Sequence, residues 1–491
     1  MQPDFISDLA RRGHLLRPEA AKLLSSDDVL RTLLYSALRE GQRLPSLITP
    51  DDLWRLKGSY TTLNGEIEIL SDPTEHPVRN AEIDGFLSLF RSRYETLSKI
   101  LRRNIPEVIN TPGVPEALKE RGRDVGFIAM VRDVRTSRNG NLVMTLEDGR
   151  GEVTGIVMKR NIGKINPPPI EDEVVAVVGD FHREKKNLMF IKEVHRPDIS
   201  RREMKTRLSR DEAYLLITSD THVGSKTFMR REWNTFISWL NSSVKVEGLP
   251  KDITERVRYL LIAGDLVDGV GIYKDQDKDL EIVNIMEQYE ALAGALSALP
   301  SGMDVILIPG NHDAVRVLEP QPALPKEFRN LFPSRFLFLG SPSLISIKGV
   351  RILAYHGRSL DDLITRVPGA SYENPIAAQI AMLKMRHLCP IYGGRTPMAP
   401  LERDLLTIEE VPDIFVSGHV HRFEVEVYRG VVVVQASAWQ GQTEYQIMRN
   451  IQPQPARAAL VGLHDLSVRA LDFSGKQPRA RLIKPPVKVG G

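Results

Sequence analysis

Tyr214-Leu-Leu-Ile-Thr-Ser-Asp-Thr-His222 decides the reading of this chain. An apolar run stops abruptly at a carboxylate and an imidazole, with no polar face along the run itself. The same grammar recurs downstream. Tyr259-Leu-Leu-Ile-Ala263 leads into Gly264-Asp-Leu-Val-Asp-Gly269, and Asp304-Val-Ile-Leu-Ile308 into Gly310-Asn-His-Asp313. Arg351-Ile-Leu-Ala354 runs into Tyr355-His-Gly-Arg358, and Ile414-Phe-Val416 into Gly418-His-Val-His421. Val431 to Val434 is a further run of this kind. Continuous apolar runs suit strands buried on both faces of a layered α/β domain. In such sheets ligands bind at the carboxyl ends of the strands, where these motifs fall.

The motifs supply the donors of a dinuclear metal site. Asp220 and His222 offer an oxygen and a nitrogen, and the Asp265 carboxylate can bridge two cations. Asn311 offers an amide oxygen, and His356, His419 and His421 offer ring nitrogens. Two metal ions about 3.5–4 Å apart clamp a phosphate and activate water between them. Mixed nitrogen and oxygen ligation suits Mn, Fe, Zn or Ni rather than Mg or Ca alone. His312 is read as a catalytic group that donates to a phosphate oxygen or to the leaving alkoxide. Asp313 either orients that ring or caps the following turn, and Asp268 is expected to hydrogen-bond within its own loop. His182, His195, His387 and His464 lack such a context and are assigned to structure.

The remainder divides by pattern. Residues 1–60 form a helical module, with Phe5, Ile6 and Leu9 on one face and a capping cluster at Ser25-Ser-Asp-Asp28; it is either a dock for a partner or a plain subdomain. Residues 61–121 connect, through an alternating strand at Glu66-Ile-Glu-Ile-Leu70 and a helical period from Asn80 to Arg103 carrying Ile83, Phe86, Leu87, Phe90, Tyr94, Leu97 and Leu101. Residues 122–198 hold five short strands separated by turn signals at Asn139-Gly140 and Asp148-Gly149, the pattern of a small OB-type barrel. Such barrels bind single-stranded nucleic acid on stacking aromatics. Here Phe127, Phe181 and Phe190 are the candidates, and core packing is the competing role. The layered α/β domain covers 211–475, and 476–491 reads as a basic tail, extended or mobile.

The bulk numbers agree. A chain of 491 residues exceeds one ordinary core. Its net charge of +3 announces no global polyanion partner, and arginine clusters at 121–138 and 196–210 are local. One cysteine, Cys389, permits no internal disulfide and fits a reducing cytoplasm. The N-terminus lacks the order of a signal peptide, and no apolar run is long enough for a bilayer.

The order D-x-H, G-D-x-x-D, G-N-H-D, H, G-H-x-H resembles the calcineurin-like metallophosphoesterase superfamily. By that resemblance one metal takes Asp220, His222, Asp265 and His421, and the other Asp265, Asn311, His356 and His419, with His312 and Asp313 beside them. Phe90-Arg-Ser-Arg-Tyr-Glu-Thr-Leu-Ser-Lys-Ile-Leu101, the OB-like region, Arg386-His-Leu-Cys-Pro-Ile-Tyr-Gly-Gly394 and Gly441-Gln-Thr-Glu-Tyr-Gln446 together resemble the small subunit of archaeal family D DNA polymerase. That resemblance covers roughly residues 80 to 473. It implies a 3′–5′ proofreading exonuclease with two divalent ions, Mn foremost. The implied partners are a large polymerising subunit and DNA, as a primer end or single strand, with a sliding clamp reached through the complex left open. The alternatives are a polymerase scaffold with little activity of its own, or a stand-alone phosphodiesterase.

Overall fold

Alternate residues of the apolar runs face opposite cores, which is why the runs carry no polar face. Leu216, Leu260, Ile262, Val305 and Leu307 pack outward against helices. Leu215, Ile217, Leu261, Ala263, Ile306 and Ile308 pack inward against a second sheet. In this computed structural model, residues 9, 12–26, 34, 45–49, 52–53, 66–78, 83–165, 167–448 and 450–487 are described.

The first sheet runs, edge to edge, Phe336–Phe338, Asp304–Ile308, Val257–Ala263, Tyr214–Thr218, Arg457–Gly462, Val468–Asp472 and Arg479–Lys484. Its four leading strands are parallel, and the last three are antiparallel. The second sheet runs Glu424–Tyr428, Val431–Gln435, Ile414–Ser417, Val350–Ala354, Ser343–Ile347 and Ile67–Ser71. Helices Arg230–Leu240 and Ile285–Ser297 cover the first sheet through Trp233, Phe236, Tyr289 and Leu292. Helix Ile376–Met385 covers the second through Ala378, Met382 and Leu383. The result is helix on sheet on sheet on helix, with Ile345, Ile352, Ile414, Val416, Val432 and Val434 closing the central core.

Residues 125–195 form a closed five-stranded barrel in the order Val125–Thr136, Leu142–Glu147, Glu152–Val157, Leu188–His195, Val174–Phe181. Phe127 and Phe181 are buried in its core. Helix Ile83–Asn104 joins barrel to sandwich: Leu97, Ile100 and Leu101 pack on Ile128, Met130, Val174 and Ala176, while Leu89 packs on Ala399 and Leu401.

Three expectations shift. The buried row of this helix is Gly85, Leu89, Arg93, Leu97 and Leu101, and Ile83 and Leu87 are 79% and 44% exposed. The connector strand Ile67–Ser71 is the edge of the second sheet, paired antiparallel with Ser343–Ile347. The tail is extended, but as an edge strand, Arg479–Lys484 on Val468–Asp472. Of the expected N-terminal helices, Pro18–Ser26 is described. Most of residues 1–60, including Phe5 and Ile6, lie outside the described residues. No helix among the described residues is long and apolar enough to cross a membrane.

Candidate metal centre

Strands Tyr214–Thr218, Val257–Ala263 and Asp304–Ile308 end side by side, and so do Val350–Ala354 and Ile414–Ser417. The loops that follow are stitched together by main-chain bonds. Asp220 N donates to Gly264 O at 2.9 Å, His222 N to Asp265 O at 3.0 Å, and Gly418 N to His356 O at 2.8 Å. Five candidate ligands sit in left-handed backbone: Asp220, His222, Asp265, His419 and His421 have φ of 50°, 45°, 47°, 72° and 55°. Strain of this kind persists where surrounding structure over-determines it, and it concentrates at functional sites. Close approach also explains two motif glycines. A Cβ at Gly310 would lie 2.2 Å from Asp265 Oδ1, and one at Gly418 would lie 2.3 Å from Asp220 Oδ2.

The donors converge in two groups about Asp265. On one side His222 Nε2 lies 3.2 Å from His421 Nε2, 3.9 Å from Asp220 Oδ1 and 3.6 Å from Asp265 Oδ2. His421 Nε2 is 3.4 Å from Asp220 Oδ1. On the other side His356 Nε2 lies 3.4 Å from Asp265 Oδ2 and 3.2 Å from Asn311 Oδ1, and His419 completes a possible metal group with His356 and Asp265. Three of the four rings are held from behind: His222 Nδ1 by Asp268 Oδ1 at 2.8 Å, His356 Nδ1 by Ala263 O at 2.9 Å, and His421 Nδ1 by the Gln446 amide at 3.0 Å. That backing aims the Nε2 lone pairs inward, as metal-ligating histidines require.

The charge balance points the same way. Among the described residues no Lys or Arg pairs with Asp220, Asp265 or Asp268; their ionic neighbours are histidines. Burial opposes charge on His222, but the Asp268 hydrogen bond and the Asp265, Asp268 and Asp220 carboxylates push it up to about 9. His356, likewise buried, is raised to about 10 by Asp265 and Asp220. Three buried carboxylates without a basic partner leave negative charge that protons on the rings only partly offset. The residues present therefore fit divalent cations, with mixed oxygen and nitrogen donors.

Not every expectation survives. Asp313 does not reach the His312 ring. Its Oδ2 accepts from Gly310 N and Leu266 N at 2.8 and 3.1 Å, and its Oδ1 accepts from Tyr289 OH at 2.8 Å. It staples two ligand loops together, and burial together with the Asp265 charge raises it to about 7. The His312 ring is oriented by the Asp268 carbonyl, 2.7 Å from Nδ1, and its main-chain N–H donates to Asp265 Oδ1 at 2.9 Å. Asp268 orients His222 rather than serving its own loop alone, and Gln440 and Gln276 hold it in turn. Asp361, 3.2 Å from His419 Nε2, went unread in the sequence. Despite its burial, His419 and Tyr372 draw it down to about 2. His387 makes no contact with the cluster and bonds Asp404 at 2.9 Å.

The B-subunit family of DNA polymerases alpha and epsilon matches residues 216–425. The chain is 40% identical over 395 residues to the DNA polymerase II small subunit of Thermoplasma acidophilum, across 80% of this chain and 79% of that one. It is 37% identical over 471 residues to the DNA polymerase II small subunit of Archaeoglobus fulgidus, across 91% of this chain and 93% of that one. Vacuolar Protein Sorting 29 from Cryptosporidium parvum, a solved structure, shares 12% identity over 56% of this chain and 99% of its own, with a TM-score of 0.31, too distant a likeness to bear on function.

Proposed function

We propose, from the premise that this chain belongs to the family of archaeal DNA polymerase II small subunits, that it is the 3′–5′ exonuclease of a two-subunit DNA polymerase. The observation that carries the reading is the convergence of five strand-end motifs on an intact donor set with excess buried carboxylate. An inert scaffold has no use for that set, and it costs stability to keep.

Asp220, His222, Asp265 and His421 would hold one divalent ion, and Asp265, Asn311, His356 and His419 the other. Bound there, such ions supply Lewis-acid polarisation of a phosphodiester and activation of water; the donor chemistry suits Mn, with Fe, Zn and Ni as alternatives. His312 stands 4.7 Å, centroid to centroid, from His222. Its Nδ1 proton is committed to the Asp268 carbonyl, so Nε2 is the atom that faces substrate and delivers a proton to the leaving 3′ oxygen. The proton delivered is that of the doubly protonated ring; burial lowers its pKa, so this form is scarcer at neutral pH but a stronger acid than a free imidazolium. Asp268 and Asp313 touch no substrate; they hold the ring and the loops.

We assign the closed barrel to the OB type; Phe127 and Phe181 are buried in its core, which leaves half-buried Phe190, 5.9 Å from the His182 ring, as the stacking candidate. The partner assigned is the large polymerising subunit, with DNA as substrate. The test is removal of a 3′ mismatch by the complex in Mn²⁺. Loss of removal in Asp265→Ala with primer extension intact supports the reading; removal at the wild-type rate overturns it.

A further inference from the structure

Arg358 closes the fourth motif, yet the cluster gives it no task. We infer that Arg358 and Arg316 form a phosphate subsite beside the cluster, holding a phosphodiester of the DNA strand adjacent to the one that is cut. This rests on the exonuclease reading and deepens it: the preferred substrate is a strand with phosphates beyond the scissile one, not an isolated phosphodiester.

Both guanidiniums grip one short turn, residues 316–320. Arg358, two residues past His356, donates from Nη1 to Val317 O at 2.7 Å. Arg316 donates from Nε and Nη2 to Pro320 O at 3.0 and 2.5 Å. The turn is tied to the ligand loops, because Gln321 Nε2 donates to Gly310 O and to Arg316 O, each at 3.2 Å. Gly310 in turn lies against Asp265. Val317 and Leu318 at the tip are 52% and 37% exposed, so the turn opens to solvent where a strand can lie.

No ion pair meets either charge among the described residues; both guanidiniums spend their protein hydrogen bonds on main-chain carbonyls. Arg316 is half-buried, and burial alone shifts it downward, with no acid opposing. Glu319 senses the Arg358 charge, but its burial raises it toward the neutral form. Arg358 Nε and Nη2 and Arg316 Nη1 remain for a ligand. A half-buried cation without a counter-ion is costly, and the guanidinium fork matches phosphate oxygens.

The test uses the full chain with its large subunit in Mn²⁺. Three substrates are compared: a single-stranded oligonucleotide, the same strand with a neutral methylphosphonate next to the scissile phosphate, and bis(p-nitrophenyl) phosphate. Wild type should lose roughly ten- to a hundredfold in kcat/KM on the methylphosphonate strand, the range for hydrogen bonds to a charged group. The Arg316→Gln/Arg358→Gln variant should show that loss on the ordinary strand and no further loss on the modified one. Its loss on bis(p-nitrophenyl) phosphate should be smaller by the same factor. Single-strand binding by anisotropy gives a second readout: the slope of log K against log salt should become shallower by about 0.7 per lost phosphate contact. Equal losses on all three substrates, or no effect of the methylphosphonate on wild type, would overturn the subsite. If wild type cuts none of the three, the exonuclease reading falls, and the salt slope still decides the subsite: an unchanged slope refutes it. Arg358→Gln alone, a change outside the core, guards against misfolding of the double variant.

Discussion

Two clusters in this molecule bury histidine against aspartate, and they resolve their charge in opposite ways. At the junction of helix Ile83–Asn104 with the sandwich, Arg93, Asp404 and His387 are all buried. Arg93 Nε meets Asp404 Oδ2 at 2.8 Å, Arg93 Nη1 donates to Pro390 O, and His387 Nε2 meets the same Asp404 at 2.9 Å. One carboxylate faces one guanidinium, and burial plus the Arg93 charge keeps His387 below its ordinary value. At the strand ends, Asp220, Asp265 and Asp268 have no lysine or arginine partner among the described residues, and against the same degree of burial these carboxylates leave His222 and His356 raised. A buried histidine beside an aspartate is thus a structural element or a metal ligand according to whether the site closes its charge by itself.

Asp265→Ala should have the largest effect. It removes the carboxylate shared by both donor groups, so bound metal and mismatch removal should vanish together while primer extension continues. Metal analysis and primer assays on one preparation check it. His312→Ala should keep the ions and lose roughly 10²–10⁴-fold in nuclease rate, the range for a positioned proton donor; a wild-type rate would remove His312 from the chemistry.

The self-sufficient cluster should answer in stability. Asp404→Asn strands Arg93, and breaking a buried pair costs about 3–5 kcal/mol. Denaturant unfolding should show this with unchanged metal per folded chain. Burial disfavours the Asp404 charge, but His387 and Arg93 outweigh it and hold the carboxyl below the usual carboxylate range. A depressed folded pKa contributes stability that is complete above about pH 4 and fades as acid is added below it. Wild type should therefore lose stability faster than Asp404→Asn below about pH 4. The smallest effect belongs to Asp268→Asn, which loosens the His222 ring without removing a ligand. Metal affinity should fall about 10–100-fold, the usual result of losing such support; unchanged affinity would make Asp268 a loop residue only.

Much of the site is legible in residue order because each motif interrupts an apolar run, and the run places the motif at a strand end. Asp220, His222, Asp265, Asn311, His356, His419 and His421 are all brought together there. What stayed hidden is set by the third dimension. Asp361 reaches His419 from a segment with no motif of its own, and Gln446, which closes the Gly441–Gln446 stretch, reaches His421 in a role its own stretch does not announce. Asp313 turns toward Gly310 and Leu266, a direction that depends on how two loops stack. Ile67–Ser71 alternates as an amphipathic strand should, yet nothing local names Ser343–Ile347 as its neighbour. Arg93 is the instructive miss. It occupies the same i, i+4 row as Leu89 and Leu97, and a charged residue in a buried row signals a buried partner.

The strand-end cluster needs cations and the junction cluster does not. Elemental analysis after Mn²⁺ loading tests it directly, on wild type, Asp265→Ala and His387→Gln prepared side by side. Wild type and His387→Gln should hold close to two ions per chain, and Asp265→Ala close to none. Metal-free wild type that still removes mismatches, or Asp265→Ala that still holds two ions, would contradict it.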